Sequence, residues 1–302
     1  MLAGPVHVSL RRALHDPASL DHAVASARLC RVLLGAVAGA SLAAVGAAFQ
    51  GLFRNPLGDP YALGVSGGAA LGASIAVLLG LGLATVPAAA FVGALAATGV
   101  VLAAARGSEG ISAESMLLAG MVSNAISNAG LALLRTSVQN VRSQETLTVL
   151  LGTISEEPSD RVLLVAAVAG AGMLVLWAHA KALNLLALGG DGAASLGLDV
   201  RRAELSVFVA SSVVVAAVVS VCGLIPFVGL VVPNHVRRWV GADHRVLLPA
   251  CALGGAALLV LADAAARASF VVLHSEPPVG ALTALLGGPF FLALLRRPRA
   301  AR

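Results

Sequence analysis

At 302 residues with 58% hydrophobic and 12% charged side chains, the chain is too apolar for a soluble domain of its length. The formal net charge of +5 does not point to nucleic acid, because the basic residues lie scattered between apolar spans instead of clustering with aromatics on one face. Cys30, Cys222 and Cys251 stand in apolar surroundings without metal-ligand spacing, and no two histidines pair at i+3 or i+4, so neither a metal site nor a cofactor is expected.

Residues 1–27 are polar enough to lie outside a bilayer and lack the apolar core of a signal peptide. The stretch that follows organises the rest. Residues 32–49 carry almost no charge and suffice to cross a hydrocarbon core of ~30 Å. Arg28 and Arg31 bracket that span on one side and Arg54-Asn55-Pro56 on the other. Pro56 and Pro60 then break the helix. Gly35/Gly39, Gly64/Gly68 and Gly68/Gly72 each stand four apart, which strips bulk from one helical face and lets backbones approach. A tightly packed helical hairpin inside a membrane is the expected result.

Nine spans are expected, at about 32–49, 62–83, 87–105, 115–134, 162–180, 203–222, 224–240, 248–270 and 279–295. The longer gaps, 135–161 and 181–202, suit surface helices. Four spans on either side of 162–180 leave room for an inverted pair of four-helix units. With the C-terminus in the cytoplasm, inside segments hold twelve Lys or Arg residues and outside loops four, so the basic bias favours that orientation. It leaves the segment 1–31 outside, with four arginines.

The chemistry that is missing narrows the function. Lys181, the only lysine, lies in His-Ala-Lys-Ala and not in a phosphate-binding G-x-x-x-x-G-K-[ST] loop. The chain is therefore no P-loop ATPase. A proton-coupled carrier would bury carboxylates along its path, and within the spans essentially one stands out, Asp263. Arg267 follows one helical turn later, so the pair reads as a structural ion pair, with a proton relay as the alternative. Neither HExxH nor GxSxG occurs, and no catalytic residue is assigned. What remains is a passive bundle moved by another subunit, with a secondary carrier or a non-transporting scaffold as the alternatives. Ser123/Ser127 and Asn124/Asn128 recur at i+4 and form a polar stripe on the fourth span, which serves either a path or interhelical hydrogen bonding.

Several motifs resemble, in order and spacing over roughly 28–295, the type II ABC importer permeases for iron–siderophore, haem and vitamin B12 uptake. They begin with Arg28-Leu29-Cys30-Arg31, Gln50, Asn55-Pro56-Leu57-Gly58-Asp59-Pro60 and Leu63-Gly64-Val65-Ser66-Gly67-Gly68-Ala69. They continue through Leu118-Ala119-Gly120, Leu151-Gly152-Thr153-Ile154, Leu188 to Gly197 and Gly223 to Pro233. They end with Gly241-Ala242-Asp243-His244-Arg245, Ala262-Asp263 to Arg267, Glu276 to Gly280 and Gly287-Gly288-Pro289-Phe290-Phe291.

The resemblance implies an all-α, polytopic transmembrane helical bundle, a single permease domain over 1–302 in the inner (plasma) membrane. The family has ten helices, so nine spans imply that its first helix is missing and that the start is truncated or mis-assigned. It implies a homo- or heterodimer of permeases on cytoplasmic ABC ATPases, served by an extracytoplasmic substrate-binding protein. Arg28, Arg31 and Arg267 would dock that binding protein, or act as interfacial anchors; Cys30 replaces the family's proline and makes the turn between the first two less rigid. Leu188, Gly189, Asp191, Ala193, Leu196 and Gly197, within a cytoplasmic loop at 181–202, would couple to the ATPase, or form a simple turn. Asn234 replaces the histidine that many members carry after Pro233, and His235 reads as a polar helix end. Ser123, Asn124, Ser127, Asn128, Thr283 and Gly287 are candidates for the translocation path. Ferric siderophore is the favoured cargo, with haem or cobalamin as alternatives.

Overall fold

The computed structural model describes residues 19–106, 112–137, 152–270 and 275–295, and all regular structure among them is helical. The long apolar helices are α1 (Leu20–Leu52), α3 (Val86–Ala104), α4 (Ala113–Ser137), α5 (Ser159–Ala178), α8 (Val200–Cys222) and α10 (His244–Ala268). Shorter ones are α2 (Val65–Leu78), α6 (Ala180–Leu186), α7 (Gly190–Ser195), α9 (Val228–Val240) and α11 (Val279–Leu295).

Each of the nine expected spans contains a helix, but six of these helices are long and apolar enough to cross a membrane. The three short ones have visible causes. Before α2, Pro60–Leu63 forms a 3-10 turn and Gly64 is left-handed, so the helix starts late and covers 14 residues. Before α9, Pro226 and the left-handed Phe227 (φ 69°) hold 223–227 out of the helix, which leaves 13 residues. α11 starts only after Pro277-Pro278 and runs for 17 residues. The expectation that the family's first helix is missing concerns residues 1–18, which lie outside those described.

α1 begins twelve residues before the expected span. Its 33 residues extend ~50 Å at ~1.5 Å per residue. The Ser19 hydroxyl caps it by accepting the His22 N–H at 3.2 Å, and Asp21 occupies the first turn. Arg28-Leu29-Cys30-Arg31 is therefore helical, with no turn for Cys30 to loosen. The far end closes where Arg54 turns left-handed (φ 50°) and the Asn55 side chain accepts the Leu57 N–H at 3.0 Å.

α1 is the innermost helix: 72% of its apolar window is buried, against 22% in α4 and α5. It lies antiparallel to α10, with Arg31 beside Asp263, Gly39 on Gly255 and Gly51 against His244. A Cβ on Gly39 would land on the Gly255 carbonyl oxygen, and one on Gly46 on the Gly229 carbonyl oxygen. Gly68 and Gly72 of α2 meet Gly93 and Ala89 of α3 in the same way. Gly99, by contrast, faces open space. On the outside, Leu163, Leu164, Leu174, Leu253, Leu261, Leu285 and Leu286 are exposed, an apolar surface that suits lipid.

Helix-interior prolines leave carbonyls without their usual partners, because proline has no N–H to give to residue i−4. Two of the three, Pro233 and Pro249 but not Pro289, are answered by a side chain of a neighbouring helix. Pro233 frees the Gly229 carbonyl, and Gln50 Nε2 of α1 donates to it at 3.3 Å. Pro249 frees the Arg245 carbonyl, and Trp177 Nε1 of α5 donates to it at 3.1 Å. Each of these two prolines is thus also a tie to a neighbouring helix.

We expect Gln50→Leu to cost about 1–3 kcal/mol, because it strands a buried carbonyl. Gly39→Ala should lower the thermal unfolding midpoint in detergent further than Gly99→Ala, which should be neutral or slightly stabilising.

Candidate functional site

The antiparallel register of α1 and α10 makes two functional ends. At the end where α1 starts and α10 finishes, Asp263 is 2% exposed and lies between two guanidinium groups. Arg31 Nε and Nη2 donate to its Oδ1 at 3.0 and 2.9 Å, and Arg267 Nε lies 3.0 Å from its Oδ2. Arg31 Nη2 also donates to Glu276, at 3.0 Å. Two cations and two carboxylates balance in a partly dry pocket, where an unpaired charge would be costly. The ion pair expected between Asp263 and Arg267 is present, and the sequence reading missed that Arg31 and Glu276 complete it. Arg28, one turn before Arg31, is buried on α1. Asp263 is not the only carboxylate in the spans. Glu204 of α8 was passed over, and the Ala113 N–H donates to it near the end of the helix.

At the opposite end, α6 and α7 form a compact turn joined through left-handed Gly189 (φ 106°), with Gly197 (φ 84°) closing it. Leu188 and Leu196 are exposed, Ala193 is buried, and Asp191 is exposed in the first turn of α7. The turn is tied to α10 through Asn184. Its Oδ1 accepts the His244 N–H at 2.9 Å and lies 2.7 Å from His244 Nδ1, while its Nδ2 donates to Asp243 at 2.6 Å. The Arg245 N–H and the Asn184 amide hold the exposed Asp243 carboxyl below the usual range. Its contribution is therefore present above the ordinary carboxylate pKa and lost as pH falls through the lowered value.

The polar stripe on α4 is split. Asn124 accepts the Gly67 N–H at 3.1 Å and donates to the Tyr61 carbonyl at 3.2 Å. Ser123 and Ser127 are buried, with Ser123 against Gly64 and Ser127 against Gly67, whereas Asn128 is exposed. The first three thus join α4 to the Tyr61–Gly67 corner. Thr283 is buried and bonds the Gly280 carbonyl at 3.0 Å, and Gly287 admits the Phe227 side chain.

Helices of this length and apolarity around a buried spine, with an ion-paired cap at one end and a glycine-jointed turn at the other, define a polytopic integral membrane permease. The model of the FecCD transport family matches residues 1–297, and the chain belongs to that family. It is similar to the cobalamin import permease BtuC of Halobacterium salinarum, 44% identical over 282 residues that span 93% of this chain and 75% of the relative. It is also similar to the hemin transport permease HmuU of Yersinia pestis, at 40% over 281 residues, 91% of this chain and 83% of the relative. A solved inward-facing ABC transporter of the metal-chelate type superposes with a TM-score of 0.83 at 28% identity, covering 98% of this chain and 93% of that one. The chain is an ABC importer permease and not an enzyme.

Removing the shared carboxylate with Asp263→Asn should destabilise the protein by about 3–5 kcal/mol, because it leaves buried guanidinium charge uncompensated. Glu276→Gln, at the exposed edge, should cost less than about 1 kcal/mol. Thermal or denaturant unfolding of the purified variants checks the ranking.

Proposed function

We propose that this permease moves a ferric siderophore, or a related metal chelate such as haem or cobalamin, into the cytoplasm. It does so as one half of a permease dimer driven by separate ABC ATPase subunits. The whole-length family match carries this reading. The cargoes named for the relatives above, cobalamin and hemin, are both metals wrapped in an organic ligand. That shared chemistry supports a path lined by small and apolar groups over one that coordinates metal. In this reading the chain lies in the inner membrane, with its C-terminus and the α6–α7 turn on the cytoplasmic side.

Arg28, Arg31 and Arg267 are the proposed docking points for acidic residues of a substrate-binding protein. Support comes from the gathering of Arg31 and Arg267 around Asp263 at one end of the bundle, where Arg31 already engages the surface carboxylate Glu276. A long guanidinium at that position suits exchange of Glu276 for a partner's carboxylate in bidentate geometry. Leu188, Gly189, Asp191, Ala193, Leu196 and Gly197 are the proposed coupling element. Its support is the exposed Leu188, Asp191 and Leu196 on a turn fastened to α10 through Asn184. Asn128, with its neighbours Ser123, Asn124 and Ser127, and Thr283 and Gly287 are proposed to border the path.

Asp191→Arg should leave the purified permease folded, since the side chain is exposed, but weaken co-purification with the ATPase subunit about tenfold or more. Undiminished co-purification and unchanged ATP-driven uptake of a labelled ferric siderophore would remove the turn from the coupling interface.

A further inference from the structure

Behind the α6–α7 turn lies a cleft of about 710 Å³ that the family reading does not use. One wall is the end of α1 and the corner beyond it, with Gln50, Gly51, Phe53, Arg54 and Pro56. The turn itself contributes Ala187 and Leu188, and the third side carries Arg237, Ala242 and His244. Two guanidinium groups face a space in which no lining residue is a carboxylate.

Two polar atoms of lining residues are buried without a partner, Arg237 Nε and Gln50 Oε1, while the His244 ring meets both Asn184 and the Ala47 backbone. Gln50 is 3% exposed, so bulk water does not satisfy its Oε1. Gln50 Nε2 is committed to the Gly229 carbonyl, which leaves Oε1 as the free atom of that side chain. A buried guanidinium N–H without an acceptor carries a desolvation cost that nothing in the cleft offsets. Arg54, on the left-handed residue that ends α1, reaches toward the same turn; a Cβ on Gly189 would lie 3.4 Å from its Nη1. Glu204 lies within its electrostatic reach without forming a salt bridge.

From this arrangement we infer that the cleft binds a phosphate oxyanion between Arg54 and Arg237, behind the α6–α7 turn. A single carboxylate would leave one of two guanidinium charges unmatched. A phosphate presents several oxygens in geometries that arginine forks accept. The oxyanion accepts from the guanidinium groups of Arg54 and Arg237 that line the cleft. Bound there, it bridges the end of α1 to the turn and stiffens the joint between them. The group belongs either to an anionic phospholipid headgroup or to free phosphate. Trp239, 83% exposed beside Arg238 near the end of α9, sets this end of the bundle at headgroup depth.

The test uses the full-length permease, wild type, Arg237→Gln and Arg54→Gln, purified in detergent and in nanodiscs. Inorganic phosphate, titrated against chloride at matched ionic strength, should raise the wild-type unfolding midpoint by about 2 °C at tenfold excess over its dissociation constant. The rise should be lost in both variants. Nanodiscs of phosphatidylcholine with or without phosphatidylglycerol supply the second arm, read by native mass spectrometry for retained lipid. Retention of phosphatidylglycerol by wild type and not by the variants assigns the group to a headgroup; a response to inorganic phosphate without retention assigns it to free phosphate. Silence in both arms overturns the inference, as does an equal response in the variants. Protection by the ATPase subunit alone, with both arms silent, also overturns it and gives the cleft to that partner. Should Arg237→Gln fail to fold, Arg54→Gln at the exposed corner still decides.

Discussion

The carbonyl of Gly229 is the point on which the bundle closes. Pro233 removes the N–H that would bond it within α9, and Gly46 of α1 comes so close that no side chain fits between them. Gln50, one turn along α1, then supplies the missing donor. Gly229 is hemmed from the other side by Pro60, since a Cβ there would meet the Pro60 ring at 2.7 Å. A short, proline-broken helix is thereby tied to both α1 and the corner before α2. In a membrane, where lipid offers backbone groups no hydrogen bonds, such closure by side chains is what permits a broken helix.

That arrangement fixes the two ends relative to each other. α1 and α10 run antiparallel in contact from the Arg31–Asp263 pair to the Gly51–His244 approach, with Gly39 on Gly255 between them. Backbone-to-backbone contact leaves little slack for either helix to slide. The α6–α7 turn, held to His244 and Asp243 by Asn184, is thereby linked to helices that reach the arginine cluster. The proposed coupling and docking ends are thus joined by close helix packing.

Much of this was legible in the sequence. Charge depletion and span length gave an all-helical membrane bundle, and the i, i+4 glycines of the second span marked a close approach that the structure places at Gly68, Gly72 and Gly93. Asp263 and Arg267, one turn apart, were readable as a pair because helical geometry alone brings them together. Arg31 and Glu276 were not, since their contacts bridge more than two hundred residues and depend on the α1–α10 register. α2 and α9 were overestimated because hydropathy continues through Gly64 and Phe227, where backbone conformation delays the start of the helix. One readable signal was overlooked: a proline inside an apolar helix demands an outside donor for the carbonyl four residues earlier, and Gln50 and Trp177 are the polar side chains that answer it.

The account treats the chain as a gate without its own power source. Its most buried membrane carboxylate, Asp263, is neutralised by two arginines, and Lys181 lies on an exposed stretch of α6 outside any phosphate-binding loop. The most direct measurement is accumulation of a labelled metal chelate in sealed vesicles holding the permease with and without its ATPase and ATP, under an imposed proton gradient. The account predicts concentration of the chelate only with ATPase and ATP present, and indifference to the gradient. Uphill accumulation by the permease alone, abolished when the gradient is collapsed, would contradict it.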